Sequence, residues 1–339
     1  MLNTLYVTTA GSYLHLDHDT VRVEVEHETA LRVPLIHLGS IVCFGHVMLS
    51  PALLGRCAAD GCSVVLLDQN GRFKARVEGP VKGNVLLRRD QHAALSNQAL
   101  SLEIARSCVA GKVQNSRLVL QRAAREASSG EDAANLSETV SELGALLRDV
   151  GAADTLDTLR GREGEAAWRY FGVFGRMIRV DRASFTMRGR SRRPPRDRLN
   201  ALLSFLYTLL ANDCRAALEG VGLDPQVGYL HALRPGRPAL ALDLMEELRP
   251  VLADRLCLTL INRRQIRERD FVEFTGGAVY LSDEGRKKVI VAYQEKKREE
   301  VQHRVIEQKI PLGLVPHAQA RLLARHLRGD LGHYPPFLA

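Results

Sequence analysis

The chain has 339 residues, 45% hydrophobic and 25% charged, with 47 Lys and Arg against 39 Asp and Glu for a net charge of +8. That balance suits a globular protein of two domains and excludes a disordered, collagen-like or coiled-coil chain. The longest apolar stretch, Ala201 to Ala211, is broken by Ser204 and Thr208 and falls short of the ~18 residues a membrane span needs, so it predicts a buried core helix and no membrane partner.

The opening residues, MLNTLYVTTAGSYLHLD, have neither a basic flank nor a long apolar centre, which predicts no secretion signal and a cytoplasmic protein. Val21, Val23 and Val25 alternate with Arg22, Glu24 and Glu26, the period of a half-buried strand. Further short apolar runs at 40–45, 63–68 and 73–79 lie between turn signals, among them the hairpin dipeptide Asn70-Gly71. A small β domain over 1–85 is expected. After Gly79-Pro80 and Gly83-Asn84 the period becomes helical, predicting a linker over 86–99 and a mostly helical domain over 100–339, an α+β chain overall.

In the helical part, 100–126 and 136–150 carry apolar residues at three- and four-residue spacing around a turn at 128–132. Gly276-Gly277 between two β-rich runs predicts a hairpin over 270–285, and the mixed charges at 286–304 predict a solvated helix face. The six cysteines, at 43, 57, 62, 108, 214 and 257, form no CxxC pair and read as buried small hydrophobes. Positive charge concentrates between Arg176 and Arg198, where nine arginines face two aspartates. Gly189 and Pro194-Pro195 disfavour a helix there, and a loop of arginines suits phosphate contact, so double-stranded DNA is the expected partner.

Two neighbourhoods carry candidate chemistry. In GREGEAAWRYF at 161–171, Glu163 is expected near a helix start, either as a functional acid on a rigid element or as a complement to the positive helix N-terminus. In GYLHALRPGRPALALDLMEELRP at 228–250, a helix beginning at Pro238 puts Asp243 and Glu246 on one face, and a turn would carry His231 back over them. An imidazole and carboxylates meeting there would suit Mn2+ or Mg2+; taken singly, they equally suit a core histidine and a solvated face.

These two blocks, with RRPPRDRLNALLSFLYTLLANDC between them, resemble in order and spacing the three signature blocks of the CRISPR-associated adaptation integrase, the Cas-one family. The N-terminal β segment looks like that family's β domain, and IPLGLVPHAQARLLARHLRGDLGHYPPFL looks like the ending of its I-C subtype. The resemblance places metal ligands at Glu163, His231 and Glu246, an additional catalytic acid at Asp243 and a basic residue beside the site at Arg249, while Glu165 becomes a decoy. It also implies DNA contacts at Tyr207, Lys112 and Asn115, beside the arginine track of Arg188, Arg190, Arg192, Arg193, Arg196 and Arg198. What it implies about activity is the joining of the 3′-hydroxyl of a foreign DNA fragment to the CRISPR repeat by transesterification. The implied assembly is a homodimer formed through the β domain, two of which flank a small Cas-two partner, with a Cas-four family nuclease in an I-C-like system. The rival expectations are a metal-dependent nuclease of branched or single-stranded DNA and a non-catalytic architectural DNA-binding subunit.

Overall fold

The computed structural model describes residues 3–77, 79, 85–187, 189–191 and 194–339. The chain separates into two compact units, Met1–Gly83 and Asn84–Ala339.

The first unit contains β1 (Asn3–Val7), β2 (Tyr13–Asp17), β3 (Thr20–Val25), β4 (Glu28–Pro34), β5 (Leu38–Phe44), β6 (Met48–Leu49), α1 (Pro51–Asp60), β7 (Ser63–Leu67) and β8 (Phe73–Val77). They form two four-stranded sheets, ordered β4-β3-β2-β6 and β1-β5-β7-β8. The alternation at 21–26 emerges as β3, whose Val21 and Val23 are buried in a core shared by both sheets with Leu14, Ile41, Leu53 and Val64. The unit is not purely β. β1, β5 and β7 run parallel, and α1 makes the crossover between the last two. Its start is written locally, for the Ser50 hydroxyl accepts from Leu53 N and Pro51 occupies the first turn. The Asn70-Gly71 turn is found as expected, with Asp68 Oδ1 accepting from the backbones of Asn70 and Arg72 and Gly71 at φ 81°.

The second unit contains α2 (Val85–Ser96), α3 (Gln98–Arg125), α4 (Gly130–Ala152), α5 (Leu156–Gly172), α6 (Arg198–Val221), α7 (Ala239–Glu246), α8 (Arg255–Asn262), β9 (Phe271–Phe274), β10 (Ala278–Leu281), α9 (Asp283–Arg298), β11 (Glu300–His303), β12 (Gln308–Pro311) and α10 (Val315–Leu327). Side-chain caps from Asn97, Ser129, Thr155 and Asp197 fix the starts of α3, α4, α5 and α6. The apolar stretch at 201–211 lies inside α6, whose Leu202, Leu203, Leu206, Leu209 and Leu210 are all buried. The hairpin over 270–285 is present as β9 and β10.

Three expectations are corrected. The segment 86–99 is almost wholly helical, as α2 and the start of α3, rather than a linker. The charged stretch 286–304 ends in β11, and its helix is not simply solvated, because Lys297 is buried against Asp213 at 2.9 Å and Tyr293 donates to the same carboxylate. Glu163 does not stand near a helix start; α5 begins at Leu156, and Asp157 is the acid in its first turn. All six cysteines are free and buried. Among the described residues, no helix is long and apolar enough to cross a membrane.

Candidate metal and phosphoryl-transfer site

Four elements of the helical unit converge on one acidic cluster: α3 brings Lys112, α5 brings Glu163, the loop after α6 brings His231, and α7 brings Asp243 and Glu246. The Lys112 ammonium bridges the two glutamates, in contact with Glu163 Oε1 and 2.7 Å from Glu246 Oε2. Arg249, one turn beyond α7, lies 2.9 Å from the other oxygen of Glu246, and His231 Nε2 lies 3.8 Å from it. Burial alone would raise the Glu246 carboxyl, but Arg249, Lys112 and His231 outweigh it and hold the group down to about 2. Glu246 is therefore an ionised carboxylate with only 1% of its surface exposed.

Asp243 is bonded to the His231 loop. Its Oδ2 accepts from the backbones of Tyr229 and Leu230 at 2.6 and 3.0 Å, and its Oδ1 from the backbone and Nδ1 of His231 at 3.0 and 2.7 Å. Both oxygens of Asp243 are thus hydrogen-bonded, and Oδ1 holds the imidazole, a positioning contact where an additional catalytic acid was expected. A proton on Nδ1 leaves Nε2 as a lone pair aimed towards Glu246.

The loop that presents His231 is held by groups with no local signal. Gln91 of α2 donates to the carbonyls of Asp224 and Val227 and accepts from Asp224 N, while Arg160 donates to Leu230 O at 2.8 Å. Gly228 is the tightest point: a Cβ there would stand 2.6 Å from the Ala239 carbonyl carbon and 2.8 Å from Asp243 Oδ2.

Behind the cluster, the chain after α7 forms a π-helical turn, Arg249–Asp254. The Tyr207 hydroxyl donates to Asp254 Oδ1 at 2.6 Å, and its ring is held between the guanidiniums of Arg190 and Arg249, 5.3 and 5.0 Å from the ring centre. Burial pushes Asp254 up to about 6, although Tyr207, Arg190 and Arg249 pull the other way. The folded state thus keeps a proton that the unfolded chain releases nearer 3.8, so this group's contribution to stability falls as pH rises through that window and is level above it. Asp254→Asn is expected to remove about 3 kcal/mol of pH-dependent stability between about pH 4 and pH 6. Urea melts across the window check this, and parallel profiles for the two proteins would refute it.

Most of the expected DNA contacts are committed inside the fold. Asn115 is fully buried, donates to Glu247 O and Phe337 O, and accepts from Ala339 N, so it anchors the C-terminal segment instead of meeting DNA. Glu247 holds the same segment through Tyr334, Gln319 and the Phe337 backbone, with burial pushing its carboxyl up to about 8. Lys112 is buried in the cluster rather than on an outer track. Arg190 bonds Asn200, Arg196 donates to Gly276 O at 2.6 Å, and Arg198 pairs with Glu268 and Glu273. Arg188, Arg192 and Arg193 lie outside the described residues. Glu165 pairs with Arg162 and Arg169 away from the cluster.

The chemistry of the donor set, two carboxylates and an imidazole, suits a divalent cation. Two carboxylates already hold a cationic nitrogen between them, and Glu246 Oε2, buried, has no well-aligned hydrogen-bond donor. Among the described residues, no three acid, cysteine or histidine side chains stand together closely enough to hold a metal ion.

Residues 5–295 match the family model described as CRISPR associated protein Cas1. The chain is 58% identical, over all of its length and 98% of the relative, to a CRISPR-associated endonuclease Cas1 of Moorella thermoacetica. It is 35% identical over 98% of its length to an exonuclease Cas4/endonuclease Cas1 fusion of Geobacter sulfurreducens, covering 60% of that protein. Its fold superposes on a Cas1 protein of Thermotoga maritima with a TM-score of 0.84 at 25% identity, covering 96% of this chain and 97% of the other.

Proposed function

The chain belongs to the CRISPR-associated Cas1 family, and from that premise we propose that it is the DNA endonuclease and strand-joining enzyme of CRISPR spacer acquisition, with Glu163, His231 and Glu246 as its metal ligands. The observation that carries the reading is the meeting of buried Glu246 with Lys112-bridged Glu163 and an imidazole whose Nδ1 is taken by Asp243. Hard oxygens with one ring nitrogen suit Mg2+ or Mn2+. When bound, the cation supplies Lewis acidity to a phosphoryl oxygen.

The protein's own part is preorganisation. Asp243 fixes the imidazole tautomer, and Arg249 and Lys112 keep Glu246 ionised so that the site is charged before substrate arrives. Tyr207, with its hydroxyl on Asp254 and its ring against Arg249, supports the position of that guanidinium beside Glu246.

We read the chain as an I-C-type member on its C-terminal segment, acting in the cytoplasm with a Cas2 partner; the Cas4/Cas1 fusion among its relatives supports a Cas4-family nuclease as a further partner. Exposed Leu31, Ile36 and Met48 support a homodimer contact through the first unit.

A strand-joining assay tests the reading, using a labelled fragment with a free 3′-hydroxyl, a supercoiled repeat-bearing target, the small partner, and Mn2+ or Mg2+ against chelator. Metal-dependent joined product is expected. Nicking without joining would select the branched- or single-strand nuclease, and DNA binding that survives chelation with no product of either kind would select the architectural subunit.

A further inference from the structure

A phosphate ligand needs guanidiniums that the fold has not already used, and the described arginines of the 188–198 loop do not provide them. A cleft elsewhere in the helical unit does. It lies between α3, the turn Phe174–Met177 and α8, with a volume of about 190 Å³. Five arginines line it, at 122, 176, 179, 255 and 263, against one acidic side chain, Glu126, with the terminal residue Ala339 also on its wall. Its floor is apolar, formed by the buried side chains of Val119, Met177, Val251 and Leu258.

The commitments of the five differ. Arg122 and Arg179 share Glu126, at 2.8 and 3.5 Å, and Arg176 pairs with Glu131 and Asp132. Neither the Arg255 nor the Arg263 guanidinium makes a hydrogen bond or ion pair among the described residues. Arg255 is also half-buried, and burial together with the charge of Arg122 lowers its pKa, although Glu299 and Glu126 pull the other way. At ~30 Å³ per water, the cleft holds roughly six waters, room for a phosphate and part of what it is attached to. Planar forks above an apolar floor suit a phosphoester better than a bare inorganic anion.

We propose that this cleft is a second phosphate-binding site, separate from the acidic cluster, in which Arg255 and Arg263 take phosphate oxygens while Arg122 and Arg179 exchange Glu126 for the ligand. From Lys112 to Arg122 along α3 is ten residues, an axial distance of about 15 Å, or about four base pairs of duplex. A strand held at the acidic cluster would thus carry phosphates within reach of the same helix. That choice of ligand rests on the proposed function, whereas the phosphate chemistry does not.

The test uses the full chain in chelator, so failure of the metal reading leaves it intact. Binding of a short labelled DNA duplex is followed through a salt titration for wild type, Arg255→Gln/Arg263→Gln and Glu126→Gln, alongside melting with and without inorganic phosphate. The double variant is expected to lose about tenfold in affinity and about 2 in the slope of log affinity against log salt. Glu126→Gln, altered only at an exposed helix cap, is expected to bind about two- to threefold tighter, and phosphate to raise the melting temperature of wild type but not of the double variant. Loss of the phosphate response with unchanged duplex binding would replace the strand by a free phosphorylated ligand. Unchanged duplex affinity, slope and phosphate response in all variants would overturn the proposal.

Discussion

Glu246→Gln is expected to lower strand joining by about a thousandfold, because a ligand's loss withdraws several kcal/mol of charge stabilisation from the transition state at ~1.4 kcal/mol per tenfold. The replaced atom is one oxygen of a buried group between Arg249 and Lys112, so volume and packing are kept. Losing the negative charge leaves Arg249 without its partner in the cluster, while Lys112 retains Glu163. A destabilisation of about 3 kcal/mol is therefore expected from the unpaired buried cation. Melting curves separate this from the chemistry, and calorimetric titration with Mn2+ should show affinity weakened at least about tenfold, as loss of one of three ligands requires. Glu165→Gln, on the same helix as Glu163 but paired with partly exposed arginines, is the internal control and should change activity less than about twofold. Joining by Glu246→Gln within tenfold of wild type, at saturating metal, would remove Glu246 from the ligand set.

The residues proposed to bear the chemistry were legible as a group because each sits in a local pattern. His231, Asp243 and Glu246 fall in one short segment, and a helix opening just after Pro238 sets the two acids a single turn apart. The residues that hold those groups in place were not. Gln91 reaches the His231 loop across more than a hundred residues of sequence, and Asp254 and Glu247 meet Tyr207 and Tyr334 through packing that no periodicity encodes. Lys112 and Asn115 show the converse error. Both read as outward contacts in AGKVQNSR, but they lie three apart on the buried face of α3, where one meets the acids and the other the C-terminal segment. The arginine-rich loop misled in a related way: counting charge locates positive residues without showing which of them the fold has neutralised, and Arg198 already serves two glutamates. In the first unit, the period-two runs gave the strands, but parallel pairing through α1 depended on reading Ser50-Pro51 as a helix start.

Gly228→Ala is expected to disable the site without touching any group that does chemistry. The added methyl would stand 2.6 Å from the Ala239 carbonyl carbon, 2.8 Å from Ala239 Cβ and 2.8 Å from Asp243 Oδ2. Two of these neighbours belong to the first residue of α7, which is fully buried and cannot swing aside like the end of a long side chain. The loop must move instead, and the next three residues are those whose backbones donate to Asp243. Displacing them breaks the geometry that holds Nδ1 of His231 on Asp243, so the imidazole loses both its tautomer and its direction. Overpacking of this kind costs about 2–3 kcal/mol of stability, and a displacement of about 1 Å at a reacting centre lowers rate about a hundredfold. The measurements are a melting curve, Mn2+ affinity and strand joining on one preparation. A variant that melts like wild type and joins DNA at the wild-type rate would show that the loop accommodates a side chain, and that the close approach of Gly228 to α7 is not what holds His231 in place.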